Sequence, residues 1–253
     1  MISNNDIMNS QINSSAATGM SPMRKTALFA GIIYLITFVS IPTLSLYAPV
    51  RAIDYISGFA PTTPVIIGCI LEIIVALGCI GTAVVLYPVL KKQHEASALG
   101  FVASRTLEAA TIFVGVAFLL TLTTLKKANL GHDADVTGYA LATLYERIFL
   151  IGQSFMPAVN DLLLGFLLYQ SRLVPRFLSL IGIFGSFALI AGDVAVLFDV
   201  LEQRAPLTAL FALGVAVFEF TLGVWLVVKG FRQMPVIDQG EQNEAIVQAK
   251  SIL

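Results

Sequence analysis

The sequence predicts an all-α fold, a polytopic transmembrane helix bundle of six spans, on three observations. Six apolar stretches, each about 20 residues or longer, fill most of the 253 residues. Only 12% of the residues are charged, roughly half the share of about 25% in a soluble domain. Nearly every stretch carries a charged or strongly polar residue in its middle, and such groups are costly in hydrocarbon unless they face a bundle interior.

Residues 1–22 are rich in Asn, Ser and Met without periodicity and read as a disordered tail. Arg24 and Lys25 then precede span 1, at about 26–49. A secretory leader is the rival for this stretch. Its apolar core would be shorter, about 7–15 residues, with a small-residue cleavage pattern after it. The run Ser45-Leu46-Tyr47-Ala48-Pro49 has no such pattern, so the stretch reads as a span.

Span 2 is expected at about 64–90, span 3 at about 97–125, span 4 at about 139–170, span 5 at about 176–199 and span 6 at about 206–229. Short connections make residues 23–231 one transmembrane domain. Residues 232–253 form a polar tail, with a short surface helix expected at 241–253.

Lys and Arg counts set the expected orientation. With the N-terminus inside, the inner side holds Arg24, Lys25, Lys91, Lys92, Arg172, Arg176, Lys229, Arg232 and Lys250, which is nine; the outer side holds Arg51, Lys126, Lys127 and Arg204, which is four. Both termini are therefore expected in the cytoplasm.

Several function classes lose support. The net charge of −1 supplies no basic field for nucleic acid. No HExxH, CxxC, Walker or GxGxxG pattern occurs, so neither a metal nor a cofactor is expected. Cys69 and Cys79 share one helical run at about 15 Å separation, too far for a mutual disulfide. Gly182, Gly185, Ser186 and Gly192 on span 5, and Gly78 and Gly81 on span 2, suit close helix approach. Trp225 reads as an interfacial anchor.

Span 4 is the most informative element. Glu146-Arg147, Gln153-Ser154 and Asn160-Asp161 recur every seven residues, close to two helical turns, and so stack as one polar stripe. Pro157 lies inside the stripe and is expected to kink the helix and free the carbonyl of Gln153. Other spans supply partners: Glu72 on span 2, Arg105 and Glu108 at i,i+3 on span 3, Asp193 on span 5 and Glu219 on span 6.

Depth along the helices predicts two layers. Arg105, Glu108, Asp161 and Glu219 fall from the middle to the cytoplasmic half; Glu72, Glu146, Arg147 and Asp193 fall in the outer half. Each layer has three acids and one arginine. A surplus acid taken out of water beside another acid favours its neutral form and can serve as a general acid or proton carrier. Buried pairs and amide hydrogen bonds also simply hold helix bundles together, at on the order of 1 kcal/mol each.

Four segments carry a family resemblance. They are Arg24-Lys25-Thr26-Ala27 leading to Gly31 and Tyr34-Leu35, the third-span run Ala103 to Ala109, the loop from Leu168 through Arg172, Pro175 and Arg176 to Ser179, and the closing run Glu219 to Trp225 followed by Val228-Lys229-Gly230. Together they resemble the DUF4386 family, a bacterial set of six-span membrane proteins catalogued as a domain of unknown function. The resemblance covers about residues 24–231 and implies six spans in a bacterial inner membrane. It implies no activity.

Three functional readings stand side by side. One is a site that binds or processes a lipophilic molecule such as a lipid or isoprenoid, with Glu219, Glu72 and Glu108 as candidate catalytic acids and Arg105, Asn160, Asp161, Gln153 and Tyr34 as candidate ligand contacts. Another is a small proton- or cation-coupled transporter using the stripe of span 4. The third is a non-enzymatic membrane scaffold or regulatory partner. The expected partners are the lipid bilayer, a lipophilic small molecule under the first reading, no nucleic acid, and a second copy of the chain where a six-span unit works as a homo-oligomer.

Overall fold

A computed structural model describes residues 20–232. The expected tails at 1–22 and 232–253, and the surface helix at 241–253, fall almost wholly outside the described residues. Within them the protein is all-α, with six helical spans long and apolar enough to cross a membrane: Pro22–Leu46, Thr63–Leu90, Glu95–Lys127, Gly131–Ser171, Arg176–Leu197 and Pro206–Val228.

Local chemistry sets the boundaries. Span 1 starts at Pro22, earlier than the hydropathy indicates, because Ser21 caps it by accepting the Arg24 amide at 3.3 Å and proline suits a first helical turn. Its regular helix stops at Thr37. A 3₁₀ turn (Phe38–Ser40) and a short helix (Thr43–Leu46) follow on either side of Pro42, so the upper part of span 1 is broken where an unbroken run was expected. His94 caps span 3 by accepting the Ser97 amide. Arg172 ends span 4 in the left-handed conformation, and Pro175 precedes span 5.

Span 4 differs from the expectation in kind. A helix (Asp135–Phe149) leads into a π-helical segment (Leu150–Phe155), and a second helix (Met156–Ser171) completes the crossing. Pro157 has no N–H for the carbonyl four residues back, and its ring crowds that carbonyl. The widened turn just upstream accommodates this displacement and puts Gln153 and Ser154 on it. Gly152 lets the segment lie against span 3, since a Cβ there would fall 2.0 Å from Thr111 Oγ1.

Each span packs against its chain neighbour, and span 6 closes the bundle against span 1. Spans 5 and 6 meet at Gly185 and Gly214, where a Cβ on either would fall 2.6 Å from the other's backbone. This is the close packing expected of the small residues on span 5.

Arg24 donates from its guanidinium to the carbonyls of Leu226, Val227 and Val228, so the start of span 1 and the end of span 6 share one face of the bundle, the terminal face. The connections 47–62, 128–130 and 198–205 lie on the far face. The first is fastened from two sides. Lys126 donates to the carbonyls of Tyr55, Ile56 and Gly58 with its ammonium 4.8 Å from the Tyr55 ring centre, and Asp135 accepts from the Ser57 amide and hydroxyl. Burial raises the Tyr55 phenol above its ordinary range.

Candidate functional site

Arg105 is the centre of the mid-membrane cluster. It is almost wholly buried, at 2% exposure, and its guanidinium joins two carboxylates. Nη1 donates to Glu108 Oε2 at 2.9 Å on the same helix, and Nη2 donates to Glu219 Oε1 at 2.8 Å across to span 6. Asn160 on span 4 donates from Nδ2 to the same Glu108 oxygen at 2.6 Å. The guanidinium lies over the rings of Tyr34 and Phe101, at 5.1 and 5.9 Å from their centres, and near Cys79 Sγ at 3.7 Å. Helical rise places Tyr34, Cys79, Arg105, Asp161 and Glu219 all about 14–18 Å from their helix ends on the terminal face. They form one layer drawn from five of the six spans.

Of the predicted inner layer, Arg105, Glu108 and Glu219 are in direct contact. Asp161 is fully buried in the same layer, and neither of its carboxyl oxygens has a hydrogen-bond partner among the described residues. The Tyr34 hydroxyl, also fully buried, is in the same position. One guanidinium therefore pairs with two of the three carboxyl groups in the layer.

The predicted outer layer separates into three places. Glu72 accepts from the Tyr145 hydroxyl at 2.7 Å and from Gln153 Nε2 at 3.3 Å, with Tyr47 packed edge-on against Tyr145. Asp193 accepts from the Ser154 hydroxyl at 2.6 Å. Glu146 lies closer to the far face and does not pair with its neighbour Arg147. Its partners come from loops: Arg51 at 2.9 Å, and Arg204 through Nη2 at 2.7 Å and Nε at 2.9 Å. Gln203 also donates to its carboxylate and to its backbone carbonyl. Adjacent helical side chains diverge by about 100°, so sequence neighbours such as Glu146 and Arg147 point apart.

Three neighbouring cavities are lined by these groups. The innermost, about 220 Å³, is lined by Arg105, Glu108, Glu219, Gln153 and Ser154 among apolar neighbours that include Phe38, Ile112, Leu189 and Val215. A second, about 410 Å³, shares Ser154, Leu189 and Ala212 with it and adds Asp193, Phe149 and Phe211. A third, about 310 Å³, shares Arg51, Gln203 and Arg204 with the second and is also walled by Glu146, Arg147 and Tyr139. The three neighbouring cavities are stacked, by their shared walls, from the far face to the mid-membrane arginine. The Ser154–Asp193 hydrogen bond lies at one partition and the Glu146 ion pairs at the other.

Within this system Glu219 is the accessible acid of the inner cluster, with 15% of its side chain exposed against 6% for Glu108. Of the other candidate contacts, Gln153 lines the inner cavity, whereas Asn160 and Asp161 are fully buried behind it and Tyr34 packs beneath the arginine. Glu72 is fully buried and reaches the cavity only through Gln153. Among the described residues no three His, Cys, Asp or Glu side chains converge as a metal site.

Sequence reasoning missed Tyr145, Cys79, Arg51, Gln203 and Arg204. Tyr145 had a signal, since it stands eight residues before Gln153 and so on the same helical face. The loop arginines had none, because a loop charge carries no periodicity.

The profile described as "Domain of unknown function (DUF4386)" matches residues 29–230. The chain belongs to this family. The DUF4386 region includes most of the first crossing and all of the other five, the Arg105 cluster and all residues of the far-face ion pairs. No curated protein and no solved structure matches the chain.

Proposed function

We propose that this protein holds a lipophilic molecule, a lipid or isoprenoid, inside the membrane, with its buried end against the Arg105–Glu219 pair. The observation that carries this reading is the position of Glu219. It is the least buried member of a buried ion cluster, on the wall of a cavity with apolar neighbours. Ligand sites commonly combine an apolar lining with a few fixed polar groups, in volumes of about 300–1,000 Å³. The two inner chambers provide 220 and 410 Å³. Glu219, positioned by Arg105, is the candidate general acid towards such a ligand; Glu108 orients the arginine, and Glu72 acts through Gln153. The Lys and Arg count supports a cytoplasmic terminal face, and the family resemblance supports a bacterial inner membrane.

Native mass spectrometry of gently extracted protein tests this reading. A co-purifying lipophilic adduct is expected on the wild type and lost from Glu219→Gln, with circular dichroism showing that the variant, though less stable, is still folded at the temperature of the measurement. The same adduct retained in both Glu219→Gln and Glu72→Gln rejects it.

Cation-coupled transport is the second reading, favoured by the π-helical break that carries Gln153 and Ser154 beside the inner cavity. Solute uptake into proteoliposomes that follows a pH or Na⁺ gradient would replace the first reading with this one.

A further inference from the structure

The far-face ion cluster is built unlike an ordinary latch. One carboxylate, Glu146, collects donors from three side chains on two loops. Arg51 Nε reaches Oε1 at 2.9 Å; Arg204 Nε and Nη2 reach Oε2 at 2.9 and 2.7 Å; Gln203 Nε2 reaches Oε2 at 3.3 Å. Oε2 thus faces three donors, although a carboxylate oxygen offers about two lone-pair sites. The same donors would suit the oxygens of an incoming carboxylate, and a phosphate would spread them over a further oxygen. Arg204 is held in plane by Phe149, whose ring centre is 4.2 Å from the guanidinium carbon. Arg147 lines the same outer chamber and makes no ion pair among the described residues.

Position adds to the donor chemistry. Arg51 and Arg204 border both the outer and the middle chamber, whereas Asp199 and Glu202 line the outer one. The arginines therefore stand in the wall that the two share. Beyond it the middle chamber is mainly apolar, with Leu44, Phe149, Leu189, Phe211 and Ala212 among its walls. From the start of span 6 at Pro206 to Glu219 is about 20 Å along the helix, a path that suits an extended hydrocarbon chain.

We propose that Arg51 and Arg204 bind the anionic head group, phosphate or carboxylate, of an amphiphile whose chain runs through the middle chamber towards Arg105 and Glu219. Glu146 occupies the head-group position with its own carboxylate and is displaced on binding. This assignment rests on the lipophilic-ligand reading above and adds to it the head-group class and the end of the path at which the head sits.

Three probes of one chain length separate the two claims: dodecyl phosphate, dodecanoate and dodecanol, titrated against full-length protein in zwitterionic-lipid nanodiscs. Charge-assisted hydrogen bonds to two arginines are expected to favour either anion over the alcohol by about tenfold or more. Arg204→Gln is expected to remove that preference and leave dodecanol binding unchanged. Glu146→Gln, which removes the competing charge at nearly constant shape, is expected to tighten the anionic probes. Stronger binding of only one anion assigns the head as phosphate or as carboxylate and supports the site. Equal affinity for anions and alcohol, or weaker anion binding in Glu146→Gln, overturns the head-group site and leaves the lipophilic cavity standing. If none of the three probes binds the wild type, both claims fall.

Discussion

The mid-membrane and far-face clusters use the same two side-chain types in opposite proportion. At mid-membrane one guanidinium, Arg105, serves two carboxylates, Glu108 and Glu219, at 2.9 and 2.8 Å. At the far face one carboxylate, Glu146, serves two guanidiniums, Arg51 and Arg204, at 2.9 and 2.7 Å. The distances match; the surroundings do not. The mid-membrane guanidinium is 2% exposed, whereas the far-face side chains are 19–34% exposed. Deep burial weakens solvent screening and makes removal of one partner costly, because the remaining charges are stranded. Partial exposure lets water and salt compensate a lost partner. The comparison therefore points to positional precision at the inner cluster and exchangeability at the outer one, in keeping with the roles proposed for them.

Substitutions can break or sharpen this contrast. The largest effect is expected from Arg105→Leu, which leaves Glu108 and Glu219 buried without their cation. It should destabilise the bundle by about 3–5 kcal/mol, read as a lowered unfolding midpoint in detergent. A midpoint equal to that of the wild type would place the cluster in contact with water and remove the contrast.

Asn160→Leu deletes one neutral donor to Glu108 and keeps the ion pairs, so a loss of about 1 kcal/mol is expected in the same assay. A cost as large as that of Arg105→Leu would mean that the amide, and not the guanidinium, organises the layer.

The smallest effect belongs to Arg51→Gln. Glu146 keeps Arg204, and the lost pair is partly solvated, so about 0.5 kcal/mol is expected. That difference should shrink as salt is raised, whereas the Arg105→Leu deficit should not. Equal salt sensitivity at the two clusters would show that burial does not separate them.

The two clusters also differ in how far they could be read from the chain. Arg105 and Glu108 are i,i+3 partners on one apolar run, so their pairing followed from helical spacing. The third member, Glu219, lies 114 residues away, and its contact depends on span 6 closing against span 1. For the outer layer the polar stripe identified Glu146 but not its partners, because nothing local indicates that the loops at Arg51 and Arg204 fold over one carboxylate. Pro157 signalled a disturbance in span 4. The π-helical form of that disturbance, which carries Gln153 towards Glu72 and Ser154 towards Asp193, also depends on Gly152 lying against Thr111 of a different span.

Hydrophobic run length and the cost of unpaired charge in lipid are properties of local sequence. By themselves they determined six membrane helices and the existence of a polar interior, and the glycines of span 5 marked its close packing. Which acid meets which arginine, which carboxyl group stays accessible and where cavities remain between helices depend on contacts between residues far apart in the chain. Only the tertiary structure decided those, because helix spacing and loop closure, not periodicity, set distances between spans.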